Sequence, residues 1–252
     1  MNPVSERDVR VSECGPAALR VSARLGDREL DWRVVHGLSR RLSERQEPGL
    51  IVSIPTYESV LVEFDPTATT VAAVAEHVRQ LLRTIDPGEP LETAPRTFVV
   101  PVLYGGPWQD DLDEVARLTN LDSEEVIRRH LEPSYTVRCL GAPGGSPMLD
   151  GPDFPVPIPR LASPRASVPA GVVSLAGRQA TIAPATSPGG WRVIGRTPLS
   201  FLDLAREPLV PYLPGDVLRF ERIDEDAFER LSGLALVPDG TMTHTPATGA
   251  RA

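Results

Sequence analysis

Residues 157–198 read PIPRLASPRASVPAGVVSLAGRQATIAPATSPGGWRVIGRTP, and this stretch carries the clearest structural signal of the chain. Short apolar runs alternate here with corners such as Pro169-Ala170-Gly171 and Ser187-Pro188-Gly189-Gly190. Proline fixes φ and glycine permits a positive φ, so these corners set a stiff backbone with sharp turns. The same pattern extends from residue 135 to residue 222 without a helical period. Short strands at this spacing predict a compact β-barrel.

Three arginines of this stretch, Arg160, Arg165 and Arg196, lie beside a proline or one residue from it. A guanidinium on a stiff frame loses little freedom when it holds an anion with two hydrogen bonds. We therefore expect the three arginines to converge on one pocket for phosphate or carboxylate. Backbone amides of the turn glycines are further candidate donors, namely Gly171, Gly189 and Gly190. The alternative is that each of these residues only holds a turn in shape.

Composition excludes several classes of function. The 252 residues contain 41% hydrophobic residues and 27 prolines, which is compatible with a real core and many turns. A net charge of −8 argues against general attraction to nucleic acid. We see no secretory signal and no apolar run long enough for a membrane span, so we expect a cytoplasmic protein. The two cysteines, Cys14 and Cys139, lack metal spacing and are predicted to be buried thiols.

The N-terminal region predicts an α+β unit at residues 1–95. Its elements, in order, are a strand at 17–23, a helix at 29–47, a hairpin of strands at 50–55 and 59–64, a helix opened by Asp65-Pro66 and ended at residues 86–88, and a strand at 97–103. This order is that of a ferredoxin-like domain. The barrel is expected at 96–230, and residues 231–252 read as a disordered tail.

Two short helices are predicted after the N-terminal unit, at residues 112–119 and 123–131. Asp122 and Glu125 form a plausible capping box for the second helix. Four acidic residues near the start of the first are interpreted as favourable charges at a helix N-terminus: Asp110, Asp111, Asp113 and Glu114. The alternative is that one of them binds Mg²⁺ together with ATP. No P-loop, no Ser-His-Asp order and no metal-ligand spacing is present.

Several long segments resemble one known family. They are PVLYGGPWQDDLDEVARLTNLDSEEVIRRH (101–130), PRLASPRASVPAG (159–171), SPGGWRVIGRTPL (187–199) and IPTYESVLVEFDP (54–66). The family is that of the B subunit of the ATP-dependent 5-oxoprolinase, and it includes KipI-type histidine-kinase inhibitors and the matching carboxyltransferase-domain region of allophanate hydrolase and urea carboxylase. The resemblance implies a ferredoxin-like domain followed by a cyclophilin-like β-barrel. It also implies a homologous barrel partner similar to the C subunit of 5-oxoprolinase, and ATP with Mg²⁺ as cofactor.

The resemblance also points to catalytic residues. Arg165 would supply positive charge to a transferring phosphoryl group. Gln179 matches the family's glutamine and would hydrogen-bond an amide or ureido group, with a purely structural role as the alternative. His130 matches a family histidine and would act as acid or base. A histidine at a helix C-terminus is equally favoured by the helix dipole.

One loop departs from the family pattern. The family typically has aromatic residues where this chain reads GAPGGSPML (141–149), and here Ala142, Ser146 and Met148 are the expected pocket lining. A smaller lining widens the cavity or removes stacking with a substrate. Three functions therefore stay open: a hydrolase subunit opening 5-oxoproline or a similar cyclic amide, a KipI-type regulatory protein, and a repurposed barrel catalysing another reaction.

Overall fold

The computed structural model describes residues 4–5, 7–45, 47–88 and 94–238. The chain divides into two compact units on either side of the Ala94–Pro95 bond. Each unit has its own apolar core. Within the described residues, no helix has the length and apolar character that crossing a membrane requires.

The first unit is a four-stranded antiparallel sheet with two helices. The elements are β1 (Val9–Glu13), β2 (Ala18–Ala23), α1 (Arg28–Arg45), β3 (Leu50–Pro55), β4 (Ser59–Phe64) and α2 (Val71–Leu82), and the sheet order is β1-β2-β4-β3. The predicted hairpin of β3 and β4 is confirmed. Val60, Val62 and Phe64 alternate toward the core along β4, as a half-buried strand requires.

The second helix begins later than its sequence suggested. Asp65 accepts from the backbone N–H of Thr67 at 2.8 Å instead of capping a helix. Thr70 is the true N-cap, because its hydroxyl accepts from the N–H of Ala73 at 3.2 Å. The apolar residues of α2 recur every three or four positions and form one buried face, which consists of Val74, Ala75, Val78, Leu81 and Leu82.

The predicted strand order of this unit is wrong at one place. The strand at Thr97–Tyr104, expected as the fourth strand of a ferredoxin-like sheet, lies in the barrel of the second unit. The position next to β2 is filled by the N-terminal strand β1, which pairs antiparallel with it from Val9↔Ala23 to Glu13↔Leu19. An edge beside β2 can be covered from either end of the chain, and period-2 patterning does not reveal which strand covers it.

The second unit is a closed barrel of seven strands with the predicted helices beside it. Its strands are β5 (Thr97–Tyr104), β6 (Tyr135–Gly141), β7 (Ser146–Asp150), β9 (Val172–Ala176), β10 (Gln179–Ile182), β12 (Arg192–Arg196) and β13 (Val217–Arg222), in the order β10-β7-β6-β13-β5-β12-β9. β8 (Arg165–Val168) and β11 (Ser187–Gly189) form a separate ribbon. The helices are α3 (Gln109–Thr119), α4 (Ser123–Leu131) and α5 (Glu225–Leu231), and a 3-10 turn spans Gly106–Trp108.

The predicted barrel is confirmed, whereas its relation to cyclophilin stays a prediction. Only β5 and β13 run parallel; the other neighbouring barrel strands whose pairing is described are antiparallel. Asp122 caps α4 as expected, accepting from the N–H of Glu125 at 2.7 Å. The helix α5 and the strand β7 were not foreseen from the sequence.

The expected tail begins too early. Leu234 and Leu236 are buried in the barrel core, and Ala235 forms a parallel bridge with Ser200. Residues 231–238 therefore belong to the barrel, and the rest of the predicted tail, residues 239–252, lies outside the described residues. One of the two cysteines differs from expectation, because Cys14 is exposed. Cys139 is buried as predicted, and burial raises its thiol pKa to about 11.

Candidate functional site

A cavity of about 440 Å³ opens on the barrel unit and contains two of the predicted site residues. Arg160 lies in the loop before β8, and Gln179 is the first residue of β10. The guanidinium carbon of Arg160 lies 5.7 Å from the centre of the Trp191 ring, a cation–π contact. The cavity is lined by Pro157, Ile158, Pro159, Arg160, Ala176, Gly177, Gln179 and Trp191.

Backbone hydrogen bonds hold the loop that carries Arg160. Ile158 and Gly177 exchange two of them, at 2.8 and 2.6 Å, which closes the loop against the turn between β9 and β10. Gly177 has φ +59°, a conformation that suits glycine. On the other side, the N–H of Leu161 donates to the carbonyl of Gly190 at 2.8 Å. The prolines at 157 and 159 further restrict this loop, so Arg160 is presented on a stiff segment.

The cavity combines one cation, one amide and an aromatic wall. Within the part of the chain that the structure describes, the Arg160 guanidinium has no carboxylate partner, so its charge is available to a ligand. The Gln179 amide offers both a donor and an acceptor. A small flat molecule with a carboxylate and an amide fits these groups, because each polar group has one complementary partner and the ring has an apolar face to lie on.

Arg165 does not face this cavity but is engaged with a buried carboxylate. Its guanidinium nitrogens lie 2.9 Å from both oxygens of Asp111, and the group also lies 5.5 Å from the centre of the Trp108 ring. The same carboxylate accepts from the backbone N–H of Val193 at 2.8 Å. Arg192 approaches it at 3.9 Å. We name Asp111, Arg165, Arg192 and the Val193 N–H the Asp111 cluster.

The contacts of Asp111 bear on the alternative that one of the four acidic residues near the start of α3 binds Mg²⁺. The carboxylate is occupied by a guanidinium and a backbone N–H, so it does not present free oxygens to a cation. Asp113 accepts from Gln109 and from the Ser123 hydroxyl instead. In the described ranges, no group of three or more histidine, cysteine, aspartate or glutamate residues is arranged to hold a metal ion.

The third predicted arginine, Arg196, also has partners of its own. Its Nε donates to the carbonyl of Ala170 at 2.9 Å, and its guanidinium lies 5.9 Å from the Phe228 ring centre. The structure thus places the three arginines against three different sets of neighbours: an open cavity, a buried carboxylate and a turn carbonyl. The expectation of one shared anion pocket is not met by this geometry.

Two of the three turn glycines, Gly171 and Gly189, are required by close packing. Gly171 has φ +85°, and a Cβ there would lie 2.5 Å from the carbonyl oxygen of Thr197. A Cβ on Gly189 would lie 2.9 Å from Val168. Gly190 is less crowded, with Pro164 at 3.6 Å, and its carbonyl accepts from Leu161. These contacts favour the interpretation in which the glycines shape the turns.

His130 is not placed for acid–base catalysis. The residue is 0% exposed and packs against the rings of Tyr104, Tyr135 and Phe220. It shares a hydrogen bond of 2.7 Å between its Nδ1 and the Tyr104 hydroxyl, and among the described residues its Nε2 has no partner. Burial lowers the pKa of His130 to about 3. A neutral, enclosed imidazole reaches no substrate, so the catalytic role expected from the sequence does not fit.

The departing loop lies outside the cavity as well. Ser146 is buried at the start of β7 and donates to the carbonyl of Pro143 at 3.1 Å. Met148 pairs with Thr181 on one side and Cys139 on the other. Neither residue, nor Ala142, lines the cavity beside Arg160. The small side chains at these positions therefore do not remove the aromatic wall, which Trp191 supplies.

Sequence reasoning missed Trp191 and Asp111. Trp191 stands directly after the Gly189-Gly190 corner, and a large ring beside a glycine turn was an available signal. Asp111 could not be separated from its acidic neighbours, because only burial distinguishes it: its exposed fraction is 5%. Its partners Arg165 and Val193 are 54 and 82 residues away along the chain.

Comparison with known proteins places the chain among those that contain a carboxyltransferase domain. It belongs to the family described as "Carboxyltransferase domain, subdomain C and D", whose model matches residues 9–212. The family resemblance expected from the sequence is thereby confirmed.

Two relatives and one solved structure are similar to this chain over most of its length. The chain is 34% identical to the 5-oxoprolinase B subunit of Bacillus subtilis (strain 168) over 229 residues, which cover 86% of this chain and 93% of the relative. It is 35% identical to the 5-oxoprolinase B subunit of Escherichia coli O157:H7, covering 75% of this chain and 83% of that protein. The solved structure of TTHA0988 matches with a TM-score of 0.69 and 32% identity over 82% of this chain, which spans 40% of that longer chain.

Proposed function

We propose that this protein is the B-type subunit of an ATP-dependent amidohydrolase that opens 5-oxoproline or a similar cyclic amide together with a homologous barrel subunit. The cavity that joins Arg160, Gln179 and Trp191 carries the proposal. Relatives named as the B subunit of 5-oxoprolinase match this chain over most of their length, which supports the same assignment.

The substrate's own chemistry matches the cavity. 5-Oxoproline is a flat five-membered lactam that carries a carboxylate. Arg160 would bind the carboxylate through charge-assisted hydrogen bonds. Gln179 would hydrogen-bond the ring amide, and Trp191 would cover one face of the ring. In the net reaction water adds to the lactam carbonyl carbon, the C–N bond breaks and the ring nitrogen leaves as an amine, while a second water hydrolyses ATP to ADP and phosphate.

The described cavity does not fit ATP. A triphosphate calls for several cationic donors, and the cavity offers the single guanidinium of Arg160. The other two candidate arginines are held by Asp111 and by the Ala170 carbonyl. We therefore assign the lactam to this cavity and assign no step of ATP chemistry to it.

The test uses the full chain co-purified with its barrel partner, and it measures 5-oxoproline-dependent ATP hydrolysis. Arg160→Ala should raise KM for 5-oxoproline by about 10- to 100-fold, because a hydrogen bond to a charged group contributes roughly 1.5–3 kcal/mol. Arg219→Ala is the matched control, since Arg219 is exposed on β13 and does not line the cavity. This control should keep the wild-type KM.

Two results would overturn the proposal. One is a complex that hydrolyses no ATP in response to 5-oxoproline. The other is an Arg160→Ala variant whose KM equals that of Arg219→Ala. A complex without turnover whose chain instead inhibits a histidine kinase would favour the KipI-type alternative, and turnover of a different amide would favour the repurposed barrel.

A further inference from the structure

We propose that Asp111 is a positioning residue that holds Arg160 and Trp191 at their working separation across the cavity. The inference rests on the proposed function, because it assigns the cavity to the substrate. Asp111 itself does not line the cavity. It acts through the two backbone segments that carry the cavity's cation and its aromatic wall.

The Asp111 carboxylate joins these two segments. One oxygen lies 2.9 Å from the guanidinium of Arg165, which is five residues after Arg160. The other oxygen accepts from the N–H of Val193 at 2.8 Å, two residues after Trp191. A single rigid group on α3 therefore connects the start of β8 with the start of β12.

The connection reaches the cavity through short, stiff pieces of chain. Proline fixes its own φ, and this restricts the chain at Pro159, directly before Arg160, and at Pro164, directly before Arg165. Leu161 is bonded to the Gly190 carbonyl, next to Trp191. Gly189 in turn pairs with Arg165 across the β8–β11 ribbon. A shift at Arg165 or Val193 therefore moves Arg160 relative to Trp191.

Burial makes the connection depend on charge. Asp111 is 5% exposed, and its carboxylate has two cationic neighbours, Arg165 and Arg192. Asparagine has nearly the same shape but no charge. Its single carbonyl oxygen cannot serve both the guanidinium and the Val193 N–H as two carboxylate oxygens do, and its NH₂ group would face a donor. Asp111→Asn should therefore loosen the connection while the fold persists.

The first experiment compares Asp111→Asn with Asp110→Asn in the full chain with its partner subunit. Asp110 is exposed on the same helix, so its variant removes an equal charge without touching the cluster. We expect Asp111→Asn to raise KM for 5-oxoproline about tenfold or more, as misplacement of a binding group does, while kcat changes by less than about threefold. In an Arg160→Ala background, Asp111→Asn should raise KM by a smaller factor than it does in the wild-type chain, because one of the two groups that Asp111 positions is gone.

A second measurement works without turnover. The indole ¹H–¹⁵N signal of Trp191, assigned with Trp191→Phe, should move in Arg160→Ala and in Asp111→Asn and stay in place in Asp110→Asn. If 5-oxoproline is not a substrate but the signal moves, the proposed function fails and the positioning role stands. If Asp111→Asn matches Asp110→Asn in both measurements, or raises KM equally with and without Arg160, the positioning role is overturned.

Discussion

Arg160 and Arg165 stand five residues apart in the same proline-rich motif, and the structure gives them opposite surroundings. Arg160 is exposed beside a cavity, and its guanidinium lies over the indole ring of Trp191. Arg165 is engaged with a buried carboxylate at 2.9 Å, and its guanidinium lies against Trp108. The first arginine keeps its charge for a ligand, whereas the charge of the second is neutralised within the fold.

This difference separates a binding arginine from a structural one. A guanidinium already paired with a buried carboxylate has its charge compensated and fewer N–H donors left for a second anion. An exposed guanidinium over an aromatic ring keeps its hydrogen-bond donors available. The presence of a nearby buried acid, rather than the local Pro-Arg pattern, decides which role each arginine takes.

Removal of the Arg165 side chain should lower the free energy of unfolding far more than removal of the Arg160 side chain. Arg165→Ala leaves the Asp111 carboxylate buried with only the Val193 N–H and the more distant Arg192, and this should lower the free energy of unfolding by about 3 kcal/mol. Arg160→Ala should lower it by less than about 1 kcal/mol, because it removes one exposed cation–π contact. Urea denaturation of the two variants measures both values. Equal losses would show that the two arginines are not distinguished by burial.

Much of the fold could be predicted because local chemistry agrees with the final structure. The hairpin of β3 and β4, the apolar face of α2 and five barrel strands follow from side-chain periodicity and from turn residues. The strand at Thr97–Tyr104 was assigned to the wrong sheet, because its apolar pattern suits either one. Leu234 and Leu236 were missed because two apolar residues in so short a segment do not define a helical or a strand periodicity.

Less of the site could be predicted, since its residues meet only after folding. Arg160 and Gln179 were named as candidate site residues for separate reasons, and the structure brings both to one cavity. Trp191 was not named, and Asp111 was not distinguished from its acidic neighbours. His130 was named as a catalytic residue, but the structure encloses it. Its position at the end of α4 suggested a titrating group, but the aromatic rings that enclose it come from β5, β6 and β13. Sequence spacing alone does not reveal this enclosure.

The turn glycines should differ in how much stability an alanine substitution removes. Gly171→Ala should lower the free energy of unfolding by about 2 kcal/mol, because alanine is strained at φ +85° and its Cβ would press on the Thr197 carbonyl. Gly190→Ala should cost less than about 1 kcal/mol, since its Cβ would meet Pro164 at an ordinary 3.6 Å. Thermal unfolding of both variants tests this. A larger loss for Gly190→Ala would contradict the assigned roles.

Acidification should lower the free energy of unfolding by a smaller amount, because the His130 ring is enclosed in the interior of the barrel unit. Burial lowers the pKa of His130 to about 3, so below the unfolded-state pKa of about 6.5 the unfolded chain takes up a proton that the folded chain does not. Stability from this group is therefore intact above pH 6.5 and lost as pH falls toward 3. The loss should reach about 1.4 kcal/mol at pH 5.5.

His130→Gln tests this acid sensitivity by urea denaturation at pH 7.5 and pH 5.5. The variant should lose less stability than wild type between these two values, because it lacks the group that takes up the proton on unfolding. If His130 instead served as the acid or base of catalysis, His130→Gln would abolish a titration in the kcat of the complex. We expect the pH profile of kcat to be the same in the variant and in wild type, since the enclosed imidazole stays neutral and out of reach of the substrate.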